Sequence, residues 1–310
     1  MNALLDLQDK IRVTTANLGR LEAEFIHYPE SPVIQANLRS LRKLQNNLRE
    51  EFGLAVRDAG MDICNYRLLE DRPSARALSK ALAGFQEAFS LVFQSLTAGP
   101  MKRRYLPKRA LQATDLRVAY TFPGSFGVAL VAPRDYLLFE EWPTKSDKAI
   151  DIVFNIVQSK SSSAVAQVAH QLGTASIAAL YDWAKDNAQN QTGADVDWNP
   201  DRDGPRILVQ YPEFAELSRS IEETSEELTV TDDFHGILVG ADTKSRRFHF
   251  VTDADHDMRG KFVDAISDSQ KAQLPAKYIA TMRVNTKTNF ATGDEEISYD
   301  LLKLTPISAA

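Results

Sequence analysis

The stretch GMDICNYRLLEDRPSARALSKALAGFQEAFSLVFQSL, residues 60–96, changes its hydrophobic period partway along. Ile63–Leu69 is short and rich in apolar and aromatic residues, as a β-strand requires. Asp71 is placed to cap a following helix, with Pro73 near the first turn, where a missing N–H costs nothing. Leu78, Leu82, Phe85, Phe89, Val92, Phe93 and Leu96 then recur at helical spacing and form an apolar face wide enough to lie against a sheet. Gly99-Pro100 ends that helix. A strand followed by a sheet-covering helix sets the middle of the chain as an α+β body.

Upstream the stripe is narrower. Leu4, Leu7, Ile11, Leu18, Leu21 and Phe25 step by three and four, with Thr14 in the one gap. After HYPESP, where Pro29 and Pro32 stop a helix, Ile34, Leu38, Leu41, Leu48, Phe52 and Ala55 repeat the pattern with Gln45 in the gap. The spacing predicts a coiled-coil-like helical hairpin over 1–58. Two such narrow stripes pack on the body of the same chain or pair with another copy.

Downstream the period becomes two. LRVAYTF (116–122), FGVALVAP (126–133) and YLLF (136–139) read as strands, the first two joined by a turn at Pro123-Gly124-Ser125. Helices follow at 146–159, 163–172 and 175–189, then strands ADVDW (194–198) and RILVQ (206–210) around NPDRDGP, then a helix over 211–226. SIEETSEE (220–227) reads as a helix end and acidic linker. Beyond it, five strands are expected at 228–241, 246–252, 258–264, 277–287 and 295–304, with SDSQKAQLP between the third and fourth. This is the order of a small β-barrel, OB- or SH3-like. The expected architecture is α+β: a helical hairpin (1–58), a central mixed sheet with packed helices (59–226) and a five-stranded small β-barrel (227–310).

Composition narrows the function. Hydrophobic residues at 44% and charged ones at 25% exclude wholesale disorder. The single Cys64 excludes an internal disulfide and a Cys-rich zinc site, and suits the cytoplasm. MNALLDLQDKIRV lacks the basic start of a signal peptide, and no apolar run approaches the roughly 18 residues that span a bilayer, so no membrane partner is expected. Basic and acidic residues number 17 against 13 over 1–115, 9 against 17 over 116–227, and 10 against 12 over 228–310. The acidic middle confines any polyanion site largely to the first third.

Catalytic signatures are absent. PGSFG (123–127) lacks the G-x-S-x-G spacing, and Cys64 sits among the apolar residues of a strand, as an inert thiol does. Neither a P-loop nor a G-x-G-x-x-G occurs. EEWPTK (140–145) is the nearest fragment to a nuclease carboxylate–lysine pattern, and Pro143 suits a core strand badly. His235 and His249 are expected to face each other across adjacent strands, with His256 in the next turn.

Two acidic turns supply the right ligand type for a divalent cation. In NPDRDGPRILVQ, Asn199, Asp201 and Asp203 alternate and Gly204 stands at the sharp turn, as in an EF-hand loop, but Gln210 replaces the bidentate Glu. In TDADHDMRG, Asp253, Asp255 and Asp257 alternate. Lys102, Arg103, Arg104, Lys108 and Arg109 put five cations beside Tyr105, a set that suits phosphates and base stacking, a protein partner, or a helix C-terminal dipole. The expectation is a non-catalytic binding or scaffold protein that self-associates and presents a partner site. The alternatives are nucleic-acid binding through 102–109 with the barrel, and a divergent metal-dependent hydrolase or nuclease.

Overall fold

The strand expected near Ile63 is β1 (Met61–Leu68), and it is the middle of a five-stranded sheet. The computed structural model describes residues 2–70, 72–122, 126–134, 143–263 and 274–307. Among these, eight α-helices, one 3-10 turn and ten strands are formed, in an α+β arrangement. They divide into two compact units, Met1–Thr224 and Ser225–Ala310.

In the first unit the hairpin is α1 (Asn2–His27) and α2 (Pro32–Asp58). Pro32 does not stop a helix; it opens α2 at the first turn behind the N-cap Ser31, where proline's fixed φ and missing N–H are harmless. The seam is as the spacing predicts, with Ile11, Leu18, Leu38, Leu48 and Phe52 buried. The two gap residues, Thr14 and Gln45, are buried as well, and Gln45 donates to Thr15 Oγ1 at 2.8 Å. Toward its C-terminus the stripe of α2 passes to Val56, and Ile11, Leu48, Phe52 and Val56 pack on sheet residues Ile63, Tyr120, Phe122 and Ala129.

The helix after β1 is α3 (Ala75–Ala98). Its cap is Ser74, whose Oγ accepts from Ala77 N at 3.1 Å, while Asp71 lies outside the described residues. Next come α4 (Lys108–Thr114), β2 (Arg117–Phe122), β3 (Gly127–Pro133), α5 (Lys145–Ser159), α6 (Ser162–Leu172) and α7 (Thr174–Gln189). Then follow β4 (Ala194–Trp198), a 3-10 turn (Pro200–Arg202), β5 (Arg206–Val209) and α8 (Tyr211–Glu223). The expected turn at 123–125, with Ser125, and the expected strand at 136–139 lie outside the described residues, as do residues 140–142 of EEWPTK and most of 267–275. The sheet order is β2-β3-β1-β4-β5, with antiparallel pairing throughout.

Alternation splits β1 between two environments. Cys64, Tyr66 and Leu68 are fully buried. The Tyr66 ring lies 5.4 Å from Phe85 of α3, Phe85 lies 5.4 Å from Trp183 of α7, and Trp183 lies 5.1 Å from Phe214 of α8. Gly84 permits this approach, since a Cβ there would stand 3.0 Å from the Trp183 ring. On the opposite face Ile63, Asn65 and Arg67 point toward the hairpin side. The hairpin covers β1, β2 and β3 there, while Arg206 and Leu208 of β5 remain exposed.

The second unit is a closed barrel of β6 (Ser225–Asp242), β7 (Arg247–Thr252), β8 (Asp257–Phe262), β9 (Ala276–Asn289) and β10 (Glu295–Pro306), in the order β10-β8-β7-β6-β9. Its third and fifth strands pair in parallel, Asp300 with Lys261 and Leu301 with Phe262, and so close the five-stranded barrel. Phe248, Phe250, Met258, Met282 and Leu301 fill the interior. Residues 225–227, expected in a linker, are already strand: Ser225 pairs with Asn289, and Glu227 stands 3.8 Å from Lys287. The cross-strand lysine offsets part of the charge of this acidic run.

Candidate functional site: a charged cleft on the central sheet

Where the hairpin stops short of β4 and β5, the sheet face forms the floor of a cleft of about 320 Å³. Arg49 comes from α2, Asn65 and Arg67 from β1, Tyr120 and Phe122 from β2, Asp195 and Asp197 from β4, and Asp201 from the 3-10 turn. The register explains the convergence, because Asn65 stands opposite Asp197 and Arg67 opposite Asp195, all on one face.

Arg49 and Arg67 share one aromatic ring. Their guanidinium carbons lie 5.0 and 5.5 Å from the centroid of Phe122, within cation–π range. Nε and Nη2 of Arg49 and Nε of Arg67 are buried with no hydrogen-bond acceptor from the protein. Burial holds the Arg49 guanidinium below its ordinary value; the charge of Arg67 adds to that, and Tyr120 opposes it. Burial likewise pushes the Tyr120 phenol up to about 12, against the pull of Arg49.

The other end of the cleft is acidic. Asp195 accepts from Arg206 Nε and Nη2, both at 2.8 Å, a bidentate pair that neutralises it, and Arg67 Nη1 stands 3.8 Å away. The Asp197 carboxyl is raised by burial and then by Asp195, with Arg206 opposing. Oδ2 of Asp201 is buried without a hydrogen-bond donor, 3.8 Å from Arg202 Nε.

A buried strut fixes the acidic end. Asn199, in the left-handed region at φ 47°, exchanges two bonds with Ile63: its N donates to Ile63 O at 2.8 Å and its Oδ1 accepts from Ile63 N at 3.0 Å. Its Nδ2 reaches Asp62 at 3.0 Å and Asp147 at 3.2 Å. Asp147 also accepts from Trp198 Nε1 at 2.9 Å and closes a capping box with Thr144 at the start of α5. Asp62 is fully buried; burial and then Asp147 raise its carboxyl, against Asn199, Arg134 and Arg202.

The sequence-expected site residues lie elsewhere, except Asp201. Asn199 is turned into the sheet, and Asp203 is exposed with φ 52°, so the alternate positions of the EF-hand-like loop do not converge. In the barrel, Asp253 stands 3.6 Å from Lys277, and Asp257 stands 3.1 Å from Arg259 and 2.7 Å from His249 Nε2. Asp255 occupies the left-handed region at φ 64°. Among the described residues, no group of three or more His, Cys, Asp or Glu is placed to hold a metal. His235 and His249 do not face each other; a bulge between Leu238 and Gly240 sets His249 opposite Gly240, and His235 lies opposite Ile279.

Lys102, Arg103, Arg104 and Tyr105 lie exposed between α3 and α4, and Lys108 and Arg109 open α4. Arg104 pairs with Asp182 at 2.6 Å and Glu87 at 3.4 Å, two carboxylates of its own unit. Met101 anchors the segment through bonds to Leu172 O and Ala175 N.

The cleft residues carried one sequence signal: polar side chains at alternate positions of strands that otherwise read as buried, in ICNYRL and ADVDW. Among the described residues, no helix is long and apolar enough to cross a membrane. Compared with family models, with curated proteins and with solved structures, the chain matches none.

Proposed function

We propose that this is a binding protein whose cleft on the central sheet holds a small polar ligand carrying an acceptor-rich group. One observation carries the reading: Arg49 and Arg67 line the cleft, and three of their guanidinium nitrogens, Nε and Nη2 of Arg49 and Nε of Arg67, are buried without a protein acceptor. Buried donors left unpaired cost about 1–3 kcal/mol each, and an acceptor from a ligand relieves that cost. The volume of about 320 Å³ accommodates roughly ten water-sized groups, which sets the ligand's scale. Cys64, buried and unpaired, supports a reducing compartment, the cytoplasm.

The test is thermal denaturation and calorimetry with a panel of small carboxylates and phosphates, comparing the wild type with Arg49→Met. A ligand present at 100 times its Kd stabilises the wild type by about 2.7 kcal/mol. Arg49→Met is expected to lose that stabilisation. An identical response of the two proteins across the panel would defeat the reading.

Self-association through the hairpin is a second reading. It is favoured by large apolar side chains on the outer surface of α1 and α2: Leu5, Val13, Ile26, Val33, Leu44 and Leu54 are all exposed. Sedimentation at micromolar concentration is expected to give a multiple of 34.6 kDa that Val13→Lys with Leu44→Lys returns to a single chain. A single-chain mass for the unaltered protein would reject it. The polyanion reading of residues 102–109 keeps one support, the exposed Tyr105 beside Arg103, and low-salt polarisation with single-stranded DNA tests it.

A further inference from the structure

The charges lining the cleft are of both signs, and the mixture constrains the ligand. Arg206 and Asp195 cancel as a bidentate pair. Of the other charged residues that line it, Arg49 and Arg67 meet on the Phe122 ring, with Glu50 exposed next to Arg49 and Arg67 Nη1 3.8 Å from Asp195. Asp197 and Asp201 supply carboxylates from β4 and the 3-10 turn. A plain dianion seated on the arginines brings its charge close to two carboxylates. A plain cation at the carboxylates leaves the buried arginine N–H groups without acceptors. Either arrangement leaves buried charge or donors uncompensated, which is costly in a partly desolvated site.

A dipolar molecule satisfies both ends. Asn65 lies directly opposite Asp197, and Arg67 is two residues from Asn65 on the same face. The diagonal from Arg67 to Asp197 is therefore about 7–8 Å between Cα atoms, a span short enough for one compact ligand to bridge. Resting on the reading of the cleft as a ligand site, we infer that its ligand is a compact zwitterion, with a carboxylate or phosphate at Arg49 and Arg67 and an ammonium group at Asp197 and Asp201. Asp201 Oδ2, which accepts no hydrogen bond and has Arg202 Nε 3.8 Å away, is the acceptor proposed for this ammonium.

Two matched pairs of probes separate the charge pattern from the anion chemistry: L-glutamate against glutarate, and phosphoethanolamine against ethyl phosphate. Within each pair the molecules differ by the ammonium group; between pairs the anion changes from carboxylate to phosphate. Calorimetry is expected to show the zwitterion of at least one pair binding tenfold or more tightly than its partner. That advantage is expected to vanish in Asp197→Asn and in Asp201→Asn while the simple anion binds these variants no worse. Two variants are used so that a folding defect in one, detected by its circular dichroism, leaves the other to decide. Equal binding of both members of each pair, abolished by Arg49→Met, overturns the zwitterion and leaves the cleft as an anion site. An advantage that survives both aspartate substitutions overturns it as well. Silence of all four probes at millimolar concentration also overturns it, and the Arg49→Met panel then decides the broader reading separately.

Discussion

Tyr66 and Arg67 are neighbours in β1 and face opposite sides of the same sheet. Tyr66 is buried among Phe85 and Trp183, and its hydroxyl accepts from Trp183 Nε1 at 3.3 Å. Arg67 looks into the cleft with a buried Nε that no protein atom satisfies. Around Tyr66 the first face is apolar and aromatic; toward the start of β1 it also holds Asp62, fully buried and with an Oδ2 that makes no hydrogen bond. The second holds like charges together and leaves donors open, an arrangement costly to the fold unless a ligand completes it. Tyr66 thus belongs to the core, while Arg67 belongs to the cleft proposed above to hold a ligand.

That contrast breaks if the helix-covered face proves dispensable. Trp183→Ala removes a fully buried indole that touches Phe85 and Phe214, and it is expected to cost about 3–5 kcal/mol in urea denaturation. A loss under about 1 kcal/mol would place the main core elsewhere.

Asn199→Ala comes next, because Asn199 ties the β4–β5 turn to β1. It strips donors from Asp62 and Asp147 and an acceptor from Ile63 N, all buried, and about 2–3 kcal/mol is expected to go. Ligand affinity in the cleft is expected to fall with it, since Asp201 rides on the same turn.

The pH dependence sharpens the comparison. Asp62 and Asp197 both have carboxyls raised above 3.8, chiefly by burial. Raised carboxyls mean that the folded chain binds protons more tightly than the unfolded one. Their contribution is therefore fully present below the unfolded value and is lost as pH rises through the raised folded values. Urea midpoints followed upward from about pH 4 should decline less in Asp197→Asn than in the wild type. A parallel decline in the two proteins would remove Asp197 from the account.

The smallest effect expected on stability is the most telling about function. Arg49→Met removes a half-buried cation that burial and Arg67 both disfavour. Stability is expected to change by no more than about 1 kcal/mol, toward a gain, while the ligand response disappears. A large loss of stability would make Arg49 a structural residue and end the division of labour between the faces.

Much of the fold was legible. The three-and-four spacing of Ile11, Leu18, Leu38 and Leu48 gave the hairpin, and even the polar gap residues Thr14 and Gln45 took their places in its seam. Local chemistry misled where two readings compete: Pro32 starts a helix as readily as it ends one, and Ser74 capped α3. SIEETSEE read as a linker because its acidic run hides a strand whose partner, Lys287, lies some sixty residues on.

The cleft was harder to see. Arg49, Arg67, Asp197 and Asp201 come from four separate elements, and nothing in the spacing of ICNYRL and ADVDW says that β1 and β4 are neighbours. The sequence by itself determined most of the elements, though not the short α4 inside the basic connector, and with them the α+β class and the five-stranded barrel, because periodicity and turn chemistry are local. Strand order, register and the limit of the hairpin's cover were decided by tertiary packing alone, since they rest on contacts between distant residues. Those three choices are what bring two arginines and two aspartates to one face of one sheet.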